Sequence, residues 1–120
     1  MPSFQWITHN GKKILYADIA SQKTEELLDI VERLRPVIAK EPPNSVLCIC
    51  DVTDGKTNTE MMNALKEFAQ SIDPYMKTIV ILGIEGLKTI LFNSVVMFTR
   101  SKKLFSKKSK EEALDWLAEQ

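Results

Sequence analysis

Ser45-Val46-Leu47-Cys48-Ile49-Cys50-Asp51-Val52 and Thr78-Ile79-Val80-Ile81-Leu82-Gly83-Ile84 are the two stretches that decide the fold. Each is a short, continuous apolar run, partly β-branched, as expected of a strand buried on both faces. Between them, Thr57 and Glu60 have capping-box spacing at the head of a helix, and Met61, Leu65, Phe68 and Ile72 fall on one helical stripe. Asp73-Pro74 breaks that helix before the second run begins. A strand, a helix and a second buried strand in this order point to a parallel pair.

Towards the N-terminus, Thr24 followed by Glu25 and Glu26 opens an earlier helix, with Leu27, Leu28, Val31, Leu34 and Ile38 as its apolar positions. Pro36 is expected to kink or thin its last turn, and Pro42-Pro43 ends it. Before this helix, Asn10-Gly11 lies between Phe4–His9 and Lys12–Asp18, the strongest two-residue hairpin signal. That turn sets a register pairing His9 with Lys12, Ile7 with Ile14 and Trp6 with Leu15. Both hairpin faces carry apolar residues, so helices should cover at least one of them.

Towards the C-terminus, Glu85-Gly86 opens a third helix from about Leu87 to Thr99. Lys102-Lys103-Leu104-Phe105-Ser106 reads as a short edge strand whose lysines discourage further pairing. A last helix starts at Ser109 with Glu111 and Glu112, and carries Ala113, Leu114, Trp116 and Leu117. The order β-β-α-β-α-β-α-β-α predicts a single α/β domain over residues 1–120. Its sheet is a single mixed layer, mostly parallel, with an N-terminal hairpin and about four helices.

The 120 residues carry 16 basic and 16 acidic side chains, a formal charge of zero, one His and two Cys, which excludes a disulfide scaffold and any global field for nucleic acid. The first residues lack the pattern of a signal peptide, and no run approaches the length of a membrane span, so a soluble cytoplasmic protein is expected. Cys48 and Cys50 share one face of a strand, too far apart at Cα for an unstrained disulfide. They read as small core hydrophobes, with no metal or cofactor implied. His9 reads as a surface turn residue with no acid or nucleophile positioned beside it, and no catalytic residue is nominated.

The element order, together with Pro42-Pro43-Asn44-Ser45-Val46-Leu47, Asp51-Val52-Thr53, Asn58-Thr59-Glu60, Leu65-Lys66-Glu67-Phe68 and Gly83-Ile84-Glu85-Gly86-Leu87-Lys88, resembles the SpoIIAA-like family of small bacterial proteins, related to STAS domains. The resemblance implies a non-enzymatic regulatory or interaction module, whose loop after the central strand and following helix head contact a protein partner or small ligand. In the antagonist branch of these proteins that loop carries an Asp-Ser-Ser-Gly-like signature with a phosphorylated serine. Here the matching stretch is Asp51-Val52-Thr53-Asp54-Gly55, without the serine.

Ligands of open α/β sheets bind beyond the carboxyl ends of the parallel strands, where loops and helix N-termini converge. Asp51, Thr53, Asp54, Thr57, Asn58 and Glu85 are therefore the candidate binding residues, with Thr53 and Thr57 as candidate phosphorylation sites near a positive helix end. The plain alternative is that Thr57 caps the helix and Thr53 forms a turn. Gly55-Lys56-Thr57 is only the tail of a phosphate-binding loop, since the required first glycine falls at Cys50. Phe92 and Val96 lie four apart, off the core stripe of the third helix, and Met62 extends the same patch. Cover by the C-terminal helix, a homodimer contact or the enclosure of a hydrophobic, lipid-like molecule would each account for it. Arg100, Lys102, Lys103, Lys107, Lys108 and Lys110 form a weak basic patch that reads first as edge protection and a solvated loop.

Overall fold

A hairpin opens the chain because Asn10 and Gly11 accept the left-handed backbone that a tight turn demands, with φ of 50° and 80°. It joins strand β1 (Ser3–His9) to β2 (Lys12–Asp18) in the expected antiparallel register, His9 to Lys12, Ile7 to Ile14 and Trp6 to Leu15. The computed structural model describes residues 3–20, 23–53, 58–83 and 103–120. Helix α1 (Thr24–Ala39) leads to β3 (Val46–Asp51), and α2 (Thr59–Ile72) with a 3₁₀ turn (Asp73–Tyr75) leads to β4 (Met76–Leu82). The short strand β5 (Leu104–Lys107) and helix α3 (Lys110–Ala118) close the chain.

Among the described residues the strands form one five-stranded sheet in the order β1-β2-β3-β4-β5, antiparallel between β1 and β2 and parallel elsewhere. The fold is thus α/β with a mixed, mostly parallel sheet and, among the described residues, three helices. The third helix expected near Leu87 to Thr99 lies outside the described residues.

The apolar runs of β3 and β4 are explained by cover on both faces. Cys48 and Cys50 point into a cluster with Leu27, Val31 and Leu34 of α1 and Met61 and Phe68 of α2. Leu47 and Ile49 point the other way, into a second cluster with Val80, Leu82 and Ala113, Leu114 and Leu117 of α3. Alternation along a strand sends its two apolar sets to two cores, so neither face can be polar. The hairpin shares this arrangement through Leu15 and Ala17 on one face and Ile14 on the other.

Several local expectations are corrected. In α1, Ile30 is buried and Leu28 is 37% exposed. At about 100° per residue, position 28 lies a quarter-turn from Leu27, beyond the stripe made by Leu27, Val31, Leu34 and Ile38. Helix α1 continues through Pro36 and ends at Ala39, ahead of Pro42-Pro43 as expected. Its start carries no side-chain cap at Lys23. The cap of α2 is Asn58, not Thr57: the Asn58 Oδ1 accepts from the Met61 N–H at 2.8 Å. Strand β4 begins two residues early, at Met76, because the 3₁₀ turn delivers the chain directly into it. Ser109 caps α3 as expected, its Oγ accepting from the Glu112 N–H at 3.1 Å.

β3 and β4 run in parallel with Asp51 beside Leu82, so the chain segments leaving them meet at one edge. The Val52 N–H donates to the Leu82 carbonyl at 2.9 Å. Gly83 follows with φ of 81°, and a Cβ there would come within 2.5 Å of the Thr53 Cα. Gly11 has the same sign of φ but nothing within 4 Å of that position. Gly11→Ala should therefore cost about 1–2 kcal/mol from the left-handed backbone alone, and Gly83→Ala a further 1–3 kcal/mol or so because Thr53 must move. Urea unfolding of both variants checks this, and equal losses would contradict it.

Candidate functional site

Three helix N-termini converge at the carboxyl ends of β2, β3 and β4, because α1, α2 and α3 each run back against the strands they pack on. Asn58 joins two of them. Its Nδ2 donates to the Thr24 Oγ1 at 2.9 Å while its Oδ1 caps α2. Thr24 thus serves a neighbouring helix rather than its own start.

Asp51, the last residue of β3, stands at the centre of this rim. Its Oδ1 accepts from the Thr53 N–H at 2.9 Å and from the Thr53 hydroxyl at 2.6 Å. Its Oδ2 accepts from the Tyr16 hydroxyl at 2.5 Å. Beside it, Asp18 at the end of β2 accepts from the Ala20 N–H at 3.2 Å, and the Ile19 N–H donates to the Asp51 carbonyl at 3.0 Å. Lys110, at the head of α3, sets its Nζ 4.2 Å from the centre of the Tyr16 ring. One carboxylate therefore links β2, the turn after β3 and, through Tyr16, helix α3.

These contacts shift both ionisable partners. Burial pushes the Asp51 carboxyl up, but the Thr53 hydroxyl, the Tyr16 hydroxyl, the Thr53 N–H and the charge of Lys110 together more than reverse it, leaving it below its ordinary value. Burial first, then the hydrogen bond to Asp51 and the charges of Asp51 and Asp18, hold the Tyr16 hydroxyl protonated well above its ordinary range. Tyr16 is thus a fixed donor and Asp51 a fixed anion. A carboxylate stabilised by several donors is a weak proton acceptor, better at holding a turn than at abstracting protons.

Of the candidate residues, the structure brings Asp51, Thr53 and Asn58 to this rim, Thr53 and Asn58 being exposed. Asp54, Thr57 and Glu85 lie outside the described residues, as do Phe92, Val96, Arg100 and Lys102. Met62 is half-buried on α2. Helix α3 commits Ala113, Leu114 and Leu117 to the sheet face opposite α1 and α2. The basic patch is divided. Lys103 donates to the Asn44 Oδ1 at 3.1 Å and the Asp73 carbonyl at 2.7 Å, at the far end of the sheet. Lys107 stands 4.6 Å from the Trp116 ring, Lys110 over Tyr16, and Lys108 is exposed.

Tyr16, Thr24 and Lys110 carry no local signal in the sequence, because their roles depend on a parallel register and on α3 crossing back over the sheet. His9 likewise has no acid near it along the chain. The structure supplies Asp115, whose Oδ1 lies 2.7 Å from the His9 Nε2 and ties α3 to the hairpin. Cys48 and Cys50 are free thiols with Sγ atoms 3.9 Å apart. The contact with Cys50, and burial, hold the Cys48 thiol well above its ordinary range, which suits core packing. Among the described residues no group of three His, Cys, Asp or Glu could hold a metal ion, and no helix is long and apolar enough to cross a membrane.

Removing the hydroxyl in Tyr16→Phe should cost about 1 kcal/mol and move the Asp51 titration upward, read by carboxyl NMR. Because folded Asp51 binds its proton more weakly than the unfolded chain, its stabilisation is full above the ordinary carboxylate range and is lost as pH falls through the depressed value. The acid side of the stability profile should accordingly flatten in Asp51→Asn. An Asp51 that titrates at or above the ordinary value would contradict this geometry. A scan against protein-family models and a search of curated proteins find no match to this chain.

Proposed function

We propose that the chain is a non-enzymatic, cytoplasmic regulatory module of the SpoIIAA-like, STAS-related kind, which docks a protein partner or small ligand at the rim after β3 and β4. The observation that carries this reading is the meeting of the two turns, with Thr53 seated against Gly83 and exposed beside Asp51. Helix N-termini and loops from several elements gather at such an end, which is the usual docking place of open α/β sheets. The fixed, weakly basic Asp51 favours recognition over proton transfer.

Thr53 is the modification site this reading prefers among the candidates. Its hydroxyl donates to Asp51, so a phosphoryl group there removes that bond and sets a dianion against a carboxylate. Phosphorylation would thus loosen the turn and alter the docking surface in one step.

The test compares captures from the native host at low salt. Unmodified protein, a rim variant (Thr53→Glu) and a far-end variant (Lys13→Ala with Glu41→Ala, whose side chains lie 3.2 Å apart) serve as baits. A partner held by the unmodified and far-end baits, and weakened about tenfold or more by the rim variant, is the expected result; tenfold corresponds to about 1.4 kcal/mol. Equal retention by all three baits would place recognition elsewhere. A co-purified apolar molecule detected by native mass spectrometry, with no protein partner, would favour the hydrophobic-carrier reading instead.

A further inference from the structure

Among the described residues, the two outer strands of the sheet differ in their defences against further pairing. β5 is four residues long and ends in Lys107, with Lys103 just before it, the usual means of blunting an edge. β1 has none of these defences. Its seven residues, Ser-Phe-Gln-Trp-Ile-Thr-His, hold no Lys, Arg, Asp, Glu or Pro, and they pair residue for residue with β2 without a bulge.

Which backbone groups face outward follows from the hairpin. The two-residue turn makes His9 and Lys12 a hydrogen-bonded pair, and the alternation of antiparallel ladders then turns the N–H and C=O groups of Ile7, Gln5 and Ser3 towards β2 as well. Those of Phe4, Trp6 and Thr8 point away from the sheet. Phe4 and Trp6 are half-buried, with Arg33 5.8 Å from the Phe4 ring centre and Lys13 4.0 Å from that of Trp6.

We propose that β1 is a self-association strand, through which two copies of this chain pair antiparallel, edge to edge, about a twofold axis at Trp6. In that register Trp6 faces Trp6 of the second copy and Phe4 faces its Thr8. Every one of these positions carries outward groups, so each facing pair exchanges two backbone hydrogen bonds. Aromatic pairs and aromatic–threonine pairs are favourable across strands, and β1 itself carries no charged side chain; the cations nearest the seam, Lys13 and Arg33, are held against the Trp6 and Phe4 rings of their own copy. The second copy is the occupant this symmetry fits, because one register satisfies both partners alike. The contact closes as a dimer rather than growing, since the lysine-flanked β5 offers no matching edge. It is separate from the rim and does not depend on what docks there.

Backbone amide exchange of the full chain, followed across protein concentration alongside sedimentation, tests this directly. The amides of Gln5, Ile7 and His9 should be protected at every concentration. Those of Phe4, Trp6 and Thr8 should gain protection as dimer forms, exchange slowing about threefold for each tenfold rise once dimer predominates, as the monomer fraction falls with the square root of concentration. Thr8→Pro removes an outward N–H and should give a monomer. Trp6→Lys, which sets two like charges opposite each other, should do the same if the proline variant fails to fold. A protein that stays monomeric at millimolar concentration would overturn the proposal. So would a dimer in which Phe4, Trp6 and Thr8 still exchange freely, or one that survives Trp6→Lys.

Discussion

The close passage of Gly83 against the backbone of Thr53 is the constraint on which the rim after β3 and β4 depends. Parallel strands deliver their following turns to the same edge, but only a residue without Cβ lets these two turns come into contact. The Val52 N–H to Leu82 carbonyl bond extends the β3–β4 pairing one step past the strands and fixes the height at which Thr53 emerges. From there one oxygen of Asp51 accepts from the Thr53 N–H and hydroxyl and the other from the Tyr16 hydroxyl, so the exposed Thr53 rests on a chain of contacts that begins in the sheet.

The sheet can supply that foundation because both faces are covered. α1 and α2 occupy one side and α3 the other, and β3 is enclosed along nearly its whole length. α3 also has a part at the rim, where Lys110 lies over Tyr16 and adds its charge to the hydrogen bonds that keep Asp51 ionised. At its other end Asp115 meets His9, so the same short helix ties the hairpin to the rim. Core packing and rim geometry both rest on this helix, through Ala113, Leu114 and Leu117 on one side and Lys110 on the other.

Much of this organisation was legible in the sequence, for identifiable reasons. Asn10-Gly11 fixes a hairpin register locally, and the apolar runs at 46–50 and 79–82 state that both faces are buried. The Ser109 cap is equally local. What escaped was information held between distant segments. Thr57 and Asn58 both suit a cap, and the choice of Asn58 goes with its second bond to Thr24, 34 residues away. Leu28 falls outside the stripe of Leu27, Val31, Leu34 and Ile38 and is exposed, while Ile30 on the opposite flank is buried against the sheet. Tyr16 and Lys110 join the site through strand register and helix placement, neither of which leaves a motif. Asp51 and Thr53 could be nominated because strand ends are general docking places; their partners could not.

Whether the turns after β3 and β4 are joined at one rim is read from the hydrogen-bond scalar coupling between the Val52 amide nitrogen and the Leu82 carbonyl carbon. A measurable coupling is expected, together with slow exchange of the Val52 amide. No coupling, with a Val52 amide that exchanges as fast as an exposed loop, would mean that the two turns do not meet and that the rim is not the built surface described here.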